Sequence, residues 1–194
     1  IPKPDLCILM PIELEHSQLL GKDIASIAEE KAGIIKSGVP ILLHSNITQD
    51  AYSVFLNRAE QKKARVYKTD DFFKLKSCSY RQGLNTINLI NTISHEDFII
   101  KSPLIGNIQG LNAATAAAAS IILLSNKDET YRAINQGLLK TSLPARFQII
   151  SKFAFPIVVD GAHTKNSVKL TLETWLEIYG GGGTLLFSCA EDKD

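Results

Sequence analysis

The sequence lacks an excess of either charge. It carries 21 basic and 20 acidic side chains in 194 residues, a formal net charge of +1, and no run rich in Lys or Arg. A surface that binds polyanions is built from such runs, so nucleic acid is disfavoured as a partner. Cysteine is equally sparse. Cys7, Cys78 and Cys189 are odd in number, far apart and without Cys-x-x-Cys or Cys/His spacing, which fits free thiols in a reducing compartment rather than a disulfide framework or a zinc site. Long apolar runs are missing too: the longest, from Ala113 to Leu124, is interrupted by Thr115 and Ser120. With no basic segment leading into an apolar one at the start, neither a membrane span nor a secretory leader is expected. No phosphate loop is complete. Gly33 and Gly38 in GIIKSGVP have the right separation, but Val39 and Pro40 stand where the loop needs Lys and a hydroxyl, and no Lys-Ser/Thr follows Gly180 to Gly183.

What is present is α/β alternation. The apolar runs Leu6 to Met10 and Val39 to His44 read as buried strands, with a helical segment between them. Residues Gln49 to Ala64 have helical spacing, and a short strand is expected at Arg65 to Tyr67. From Phe72 to Ile105 β-branched residues, Asn and Gly point to a hairpin or meander. An alanine-rich helix, buried almost all round, is expected from Asn112 to Ser125, and a second from Glu129 to Lys140. After Pro144 the pattern restarts, with strands at Arg146 to Ile150 and Ile157 to Val159, a helix from Asn166 to Tyr179 and a strand at Thr184 to Ser188. These place a domain boundary near Ser142. Because the chain opens on Ile1 and stops at Asp194 just after an expected strand, it reads as a piece of a longer protein.

Lys31 holds an unusual position. With Asp23 as a helix cap, Ile24, Ile27, Ala28 and Lys31 fall at i, i+3, i+4 and i+7, which sets the lysine in the apolar stripe with its amine directed inward. An ammonium there is penalised by desolvation, which favours the neutral, reactive amine. The bland reading is that Lys31 snorkels outward or pairs with Glu30, and geometry alone leaves both readings open. His16 follows the first strand, where α/β sheets bind ligands, although a lone His is more often structural.

Taken together these residues are no longer anonymous. The stretch IELEHSQLLGKDIASIAEEKAGIIKSGVP, Ile12 to Pro40, closely resembles the signature of the folylpolyglutamate synthase and dihydrofolate synthase family of the Mur ligase superfamily. Three further stretches are similar to the family in the same order: GNIQGLNAATAAAA from Gly106, LPARFQII from Leu143 and IVVDGAHTKNS from Ile157. The resemblance implies an α/β fold, with residues 1–142 as part of a Mur ligase central ATPase domain lacking its phosphate loop. Residues 143–194 would then begin a Rossmann-like C-terminal domain.

It also implies chemistry. The lysine matching Lys31 is carboxylated by carbon dioxide to a carbamate that organises a Mg²⁺ site, and the histidine matching His16 is a ligand of that metal. Gln109, Asn112, Arg146 and Asp160 match residues that contact ATP, and His163 is a weaker match to a residue facing the incoming glutamate. The residues themselves keep simpler readings open: Asn112 as a helix cap, Arg146 as a surface arginine, Asp160 as a turn residue. The implied activity is ATP-dependent addition of L-glutamate to folate or dihydropteroate through an acyl phosphate, in a cytoplasmic, monomeric enzyme that uses neither nucleic acid nor membrane. Glu13, Glu15, Pro11 and Thr164 depart from the family pattern, and a GxxGKG[ST]-like loop and a further metal-binding glutamate belong upstream of Ile1, so the chain by itself is expected to be inactive. A non-catalytic relative, or a ligase for another carboxylate, are the alternatives.

Overall fold

The structure is a computed structural model and describes residues 3–13, 23–124, 127–150 and 154–189. The first strand, β1 (Cys7–Leu9), leads to helix α1 (Ile24–Lys31), β2 (Ile41–Leu43), α2 (Gln49–Gln61) and β3 (Val66–Lys68). These form a parallel sheet in the order β1-β2-β3, with Cys7 opposite Ile41 and Ile41 opposite Val66. Asp23 caps α1 as expected, its Oδ1 accepting from the Ser26 amide at 2.7 Å. That bond holds the carboxyl below the usual carboxylate range. Strand alternation divides the core. Ile41 and Leu43 join Ile27, Ala28, Ala51 and Phe55 on the helical face, while Leu42 points the other way. Burial on both faces is why β2 reads as an unbroken apolar run.

The second face of the sheet is covered by the expected meander and two helices. Strands β4 (Phe73–Arg81), β5 (Leu84–Asn91) and β6 (Asp97–Ser102) pair antiparallel in that order. They pack with α3 (Asn107–Leu123) and α4 (Lys127–Leu139) around Leu42, Phe73, Ile87 and Ile100. Helix α3 begins five residues before Asn112, its N-cap being Gly106 at φ 105°, so Asn112 lies inside the helix and is no cap. Its buried face follows Gly110, Ala113, Ala114, Ala117 and Ala118, whereas Ala116 is exposed, so α3 buries a broad stripe rather than its whole circumference. The Thr115 hydroxyl meets that of Thr69 at 3.0 Å, and Thr69 donates in turn to the Leu43 carbonyl, tying α3 to the sheet.

Gly110 marks the tightest approach. A Cβ there would lie 2.5 Å from Cys78 Sγ and 3.2 Å from Leu75 Cδ1. Cys78 is hemmed in enough that burial pushes its thiol up to about 11. Gly110→Ala is therefore expected to destabilise the fold by about 1–3 kcal/mol even though alanine is the better helix former. Urea denaturation of the variant checks this, and unchanged stability would show that α3 can shift away.

Beyond the helices, β7 (Gln148–Ile150) and β8 (Ile157–Val159) form an antiparallel pair, followed by α5 (Lys165–Tyr179). The strand expected at Thr184 to Ser188 is not formed. No described strand lies alongside to pair with it, Leu186 is 92% exposed, and the segment is held to α5 through a 2.8 Å bond from Trp175 Nε1 to the Gly182 carbonyl.

Candidate functional site

The carboxyl ends of the parallel strands carry the polar side chains. After β1 the chain runs through Pro11, Ile12 and Glu13 into a cleft of about 390 Å³ whose opposite wall is the turn from Gly161 to Thr164 and the start of α5. Lys31, Arg146 and His163 all line this cleft. The inward reading of Lys31 is corrected here: the side chain is exposed, because it is the last residue of α1, where the helix tightens into a 3₁₀ turn over Ala32–Ile34. Ile27 and Ala28 are buried, and the stripe stops one turn short of the lysine. The helix therefore does not carry the amine into the apolar layer. What remains is a cationic side chain at the mouth of a cleft.

Arg146 is presented by an unusual piece of backbone. Ala145 at φ 53° and Phe147 at φ 46° both lie in the left-handed region, on either side of it. Three bonds hold the arrangement. The Ala145 amide donates to Gln148 Oε1 at 3.0 Å, the Ala145 carbonyl accepts from the Gly161 amide at 2.8 Å, and the Phe147 amide donates to Asp160 Oδ2 at 2.6 Å. Asp160 also accepts from the Ala162 amide at 2.7 Å, so each of its oxygens serves a turn. Phe147 is driven inward, 4% exposed, and Arg146 outward. His163 is braced by the same turn, its Nδ1 lying 2.9 Å from the Gly161 carbonyl.

Gln109 and Asn112 are not in this cleft. They lie on the first turns of α3, joined by a 3.1 Å bond from Asn112 Nδ2 to Gln109 Oε1. Asn112 neighbours His44, which follows β2 at the same sheet edge and is 3% exposed. His44 Nδ1 accepts from the Asn46 amide at 3.0 Å, which assigns the proton of the neutral ring to Nε2. Burial pushes the His44 pKa below its ordinary value, opposed by the Asn112 side chain and the Asp70 charge. The unfolded chain therefore takes up this proton first as pH falls. The stability contributed by the neutral ring is complete above the unfolded value of 6.5 and is lost as pH drops through the folded-state value. Thermal melts at pH 7.5 and 5.0 should show a larger acid loss for the native chain than for His44→Gln. Equal losses would assign the acid sensitivity elsewhere.

His16 lies outside the described residues. Among the described residues no group of three or more His, Cys, Asp or Glu is placed to hold a metal. In the cleft, Lys31 becomes a ligand only once carboxylated, and Glu13 already accepts two hydrogen bonds, from Thr164 Oγ1 at 2.6 Å and Asn166 Nδ2 at 2.7 Å. An anionic Lys31 would fit beside Arg146 and the start of α5, whereas a full donor set for a cation requires residues such as His16. Glu13, Asn166 and His44 were not legible from the sequence as part of this region. Of the three, only His44 stands directly after an apolar strand run, and that position was its available signal.

Comparison with known proteins bears out the resemblance read from the sequence. The chain is 29% identical over 196 residues to the folylpolyglutamate synthase of Lacticaseibacillus casei, matching 98% of this chain and 44% of that protein. It is 30% identical over 200 residues to the dihydrofolate synthase/folylpolyglutamate synthase of Bacillus subtilis, matching 100% of this chain and 45% of that protein. Among solved structures, the apo form of L. casei FPGS matches with a TM-score of 0.77 at 25% identity, over 91% of this chain and 43% of that one. An FPGS–AMPPCP–folate complex matches with a TM-score of 0.79 at 25% identity, over 92% of this chain and 43% of that one. No protein-family model matches the chain. The α/β fold is thus that of the Mur ligase-like folylpolyglutamate synthases, and the chain spans less than half the length of the curated relatives it matches.

Proposed function

We propose that the full-length protein containing this chain is an ATP-dependent amide ligase that joins L-glutamate to folate, to dihydropteroate, or to both. The observation that carries the reading is the cleft itself, where Lys31, Arg146, His163 and the start of α5 converge at the carboxyl end of a parallel sheet. Such a lining favours anions, and both a nucleotide triphosphate and the proposed acceptors are anionic. Similarity to FPGS bound to AMPPCP and folate supports both ligand classes.

In the proposed reaction the γ-phosphoryl group of ATP passes to a substrate carboxylate, giving an acyl phosphate and ADP. The amine of glutamate then attacks the acyl carbon, and phosphate leaves as the amide forms. Arg146 neutralises charge on the transferring group, Gln109, Asn112 and Asp160 hold the nucleotide, and His163 faces the incoming glutamate. Lys31 carries a carbamate, formed by attack of its amine on carbon dioxide with loss of a proton. Its exposure supplies access for the gas, and the positive lining favours the anionic product. Mg²⁺, held by that carbamate and His16, would add charge neutralisation when bound.

Residues 1–142 act as part of a central ATP-binding domain and 143–194 as the beginning of a C-terminal ligase domain. The chain alone does not turn over, and the whole enzyme is a cytoplasmic monomer that acts on small molecules. The test is ADP release by the full-length protein given ATP, Mg²⁺ and either dihydropteroate or a reduced folate. Release that requires glutamate is the expected result. Absence of release with either acceptor would favour a non-catalytic relative, and release with another acid would reassign the substrate.

A further inference from the structure

Among the described residues that line the cleft one is a carboxylate, and it is already committed. Glu13, four residues beyond β1, accepts from Thr164 Oγ1 through Oε2 and from Asn166 Nδ2 through Oε1, at 2.6 and 2.7 Å. The partners lie 151 and 153 residues further along the chain. Thr164 is also the N-cap of α5. Its Oγ1 accepts from the Ser167 amide at 3.1 Å, and Ser167 Oγ accepts from the Thr164 and His163 amides at 2.9 and 3.1 Å. One carboxylate therefore grips the capping network that also fixes the backbone of His163. Its charge sits at the positive end of a 15-residue helix, where a carboxylate is favoured. Among the described residues, Glu13 supplies two side-chain hydrogen bonds between these two parts of the molecule. Helix α5 has no buried residue, so its placement depends on such ties rather than on a shared core.

We infer that Glu13 is a positioning residue, a clasp that sets the start of α5 and the His163 turn at a fixed distance from Lys31 across the cleft. The inference rests on the ligase reading for its kinetic consequence, not for the clasp. The contact between Glu13 and Thr164 serves both residues: the carboxylate gains a donor, and the capping hydroxyl gains an acceptor. Glu13 touches no reacting group. It acts through the turn it holds.

The test is a double-mutant cycle in the full-length protein with Glu13→Ala and Asn166→Ala. Hydrogen exchange of the amides from 163 to 168 reports the clasp, and steady-state kinetics report its use. Glu13→Ala, which removes both bonds, is expected to speed exchange by about tenfold, Asn166→Ala, which removes one of them, by less, and the double variant to exceed Glu13→Ala by much less than the product of the singles, because the bond to Asn166 is already lost in Glu13→Ala. The KM for glutamate is expected to rise by about tenfold with kcat within a few-fold, since the chemical groups stay in place while the wall they belong to loosens. Glu13→Gln, which can still meet both partners after an amide rotation, should recover most of the KM. Fully multiplicative effects or unchanged exchange would overturn the clasp. An unchanged KM with altered exchange would overturn the positioning role. Absence of glutamate-dependent turnover in the native protein would defeat the ligase reading alone, because the exchange cycle needs no substrate.

Discussion

Lys31→Ala in the full-length protein is expected to lower kcat by about 10²- to 10³-fold, the scale on which loss of one charge-stabilising group at a reacting centre acts. A loss alone would not say what the lysine does. As an ammonium at the mouth of a positive cleft, Lys31 could simply bind phosphate, and Lys31→Arg would then preserve much of the rate. As a carbamate it supplies an anion, and arginine would be as poor a substitute as alanine. The two roles have opposite signs of charge. Added formate or acetate should therefore partly restore Lys31→Ala if the missing group is a carboxylate, and should leave the native enzyme unaffected. Activity retained in Lys31→Arg, or no response of Lys31→Ala to carboxylates, would refute the carbamate.

Periodicity placed Lys31 on the buried stripe of α1 because Ile24, Ile27 and Ala28 define that stripe, and Asp23 does cap the helix. Periodicity is blind to where a helix ends against its neighbours. Lys31 is the last α-helical residue, so its side chain leaves the packed layer although its angular position is correct. The strands and helices themselves were legible wherever burial was two-sided or strictly periodic, as in β2 and α3. The strand expected at Thr184 to Ser188 has the composition of a strand but no described partner, and pairing is a tertiary fact. The site was legible only as single residues. Nothing in the spacing of Glu13 and Thr164 announces a contact across 151 positions, and nothing in the word LPARFQ announces two left-handed residues.

Those two residues set the largest expected effect after Lys31, which is that of Asp160→Ala. Ala145 and Phe147 are not glycines, and holding each in the left-handed region costs about 1–3 kcal/mol that the surroundings must offset. Asp160 does so directly, through the 2.6 Å bond from the Phe147 amide, while its other oxygen fixes the Ala162 amide. Alanine leaves two partly buried amides without an acceptor, at about 1–3 kcal/mol for each that water fails to reach. The backbone around Arg146 should relax toward ordinary φ values, Arg146 should turn out of the cleft, and kcat/KM should fall by about 10²-fold, as when a positioned group is misplaced by an ångström. A residue that only touched the nucleotide would raise the KM for ATP and leave the 145–147 backbone alone. The two roles separate in hydrogen exchange: loss of the clamp exposes the Phe147 amide in the absence of any nucleotide. They separate again in a second variant. Ala145→Gly removes one of the two strained conformations, so it should restore part of the activity of Asp160→Ala if the loss is conformational, and none of it if Asp160 is solely a ligand contact.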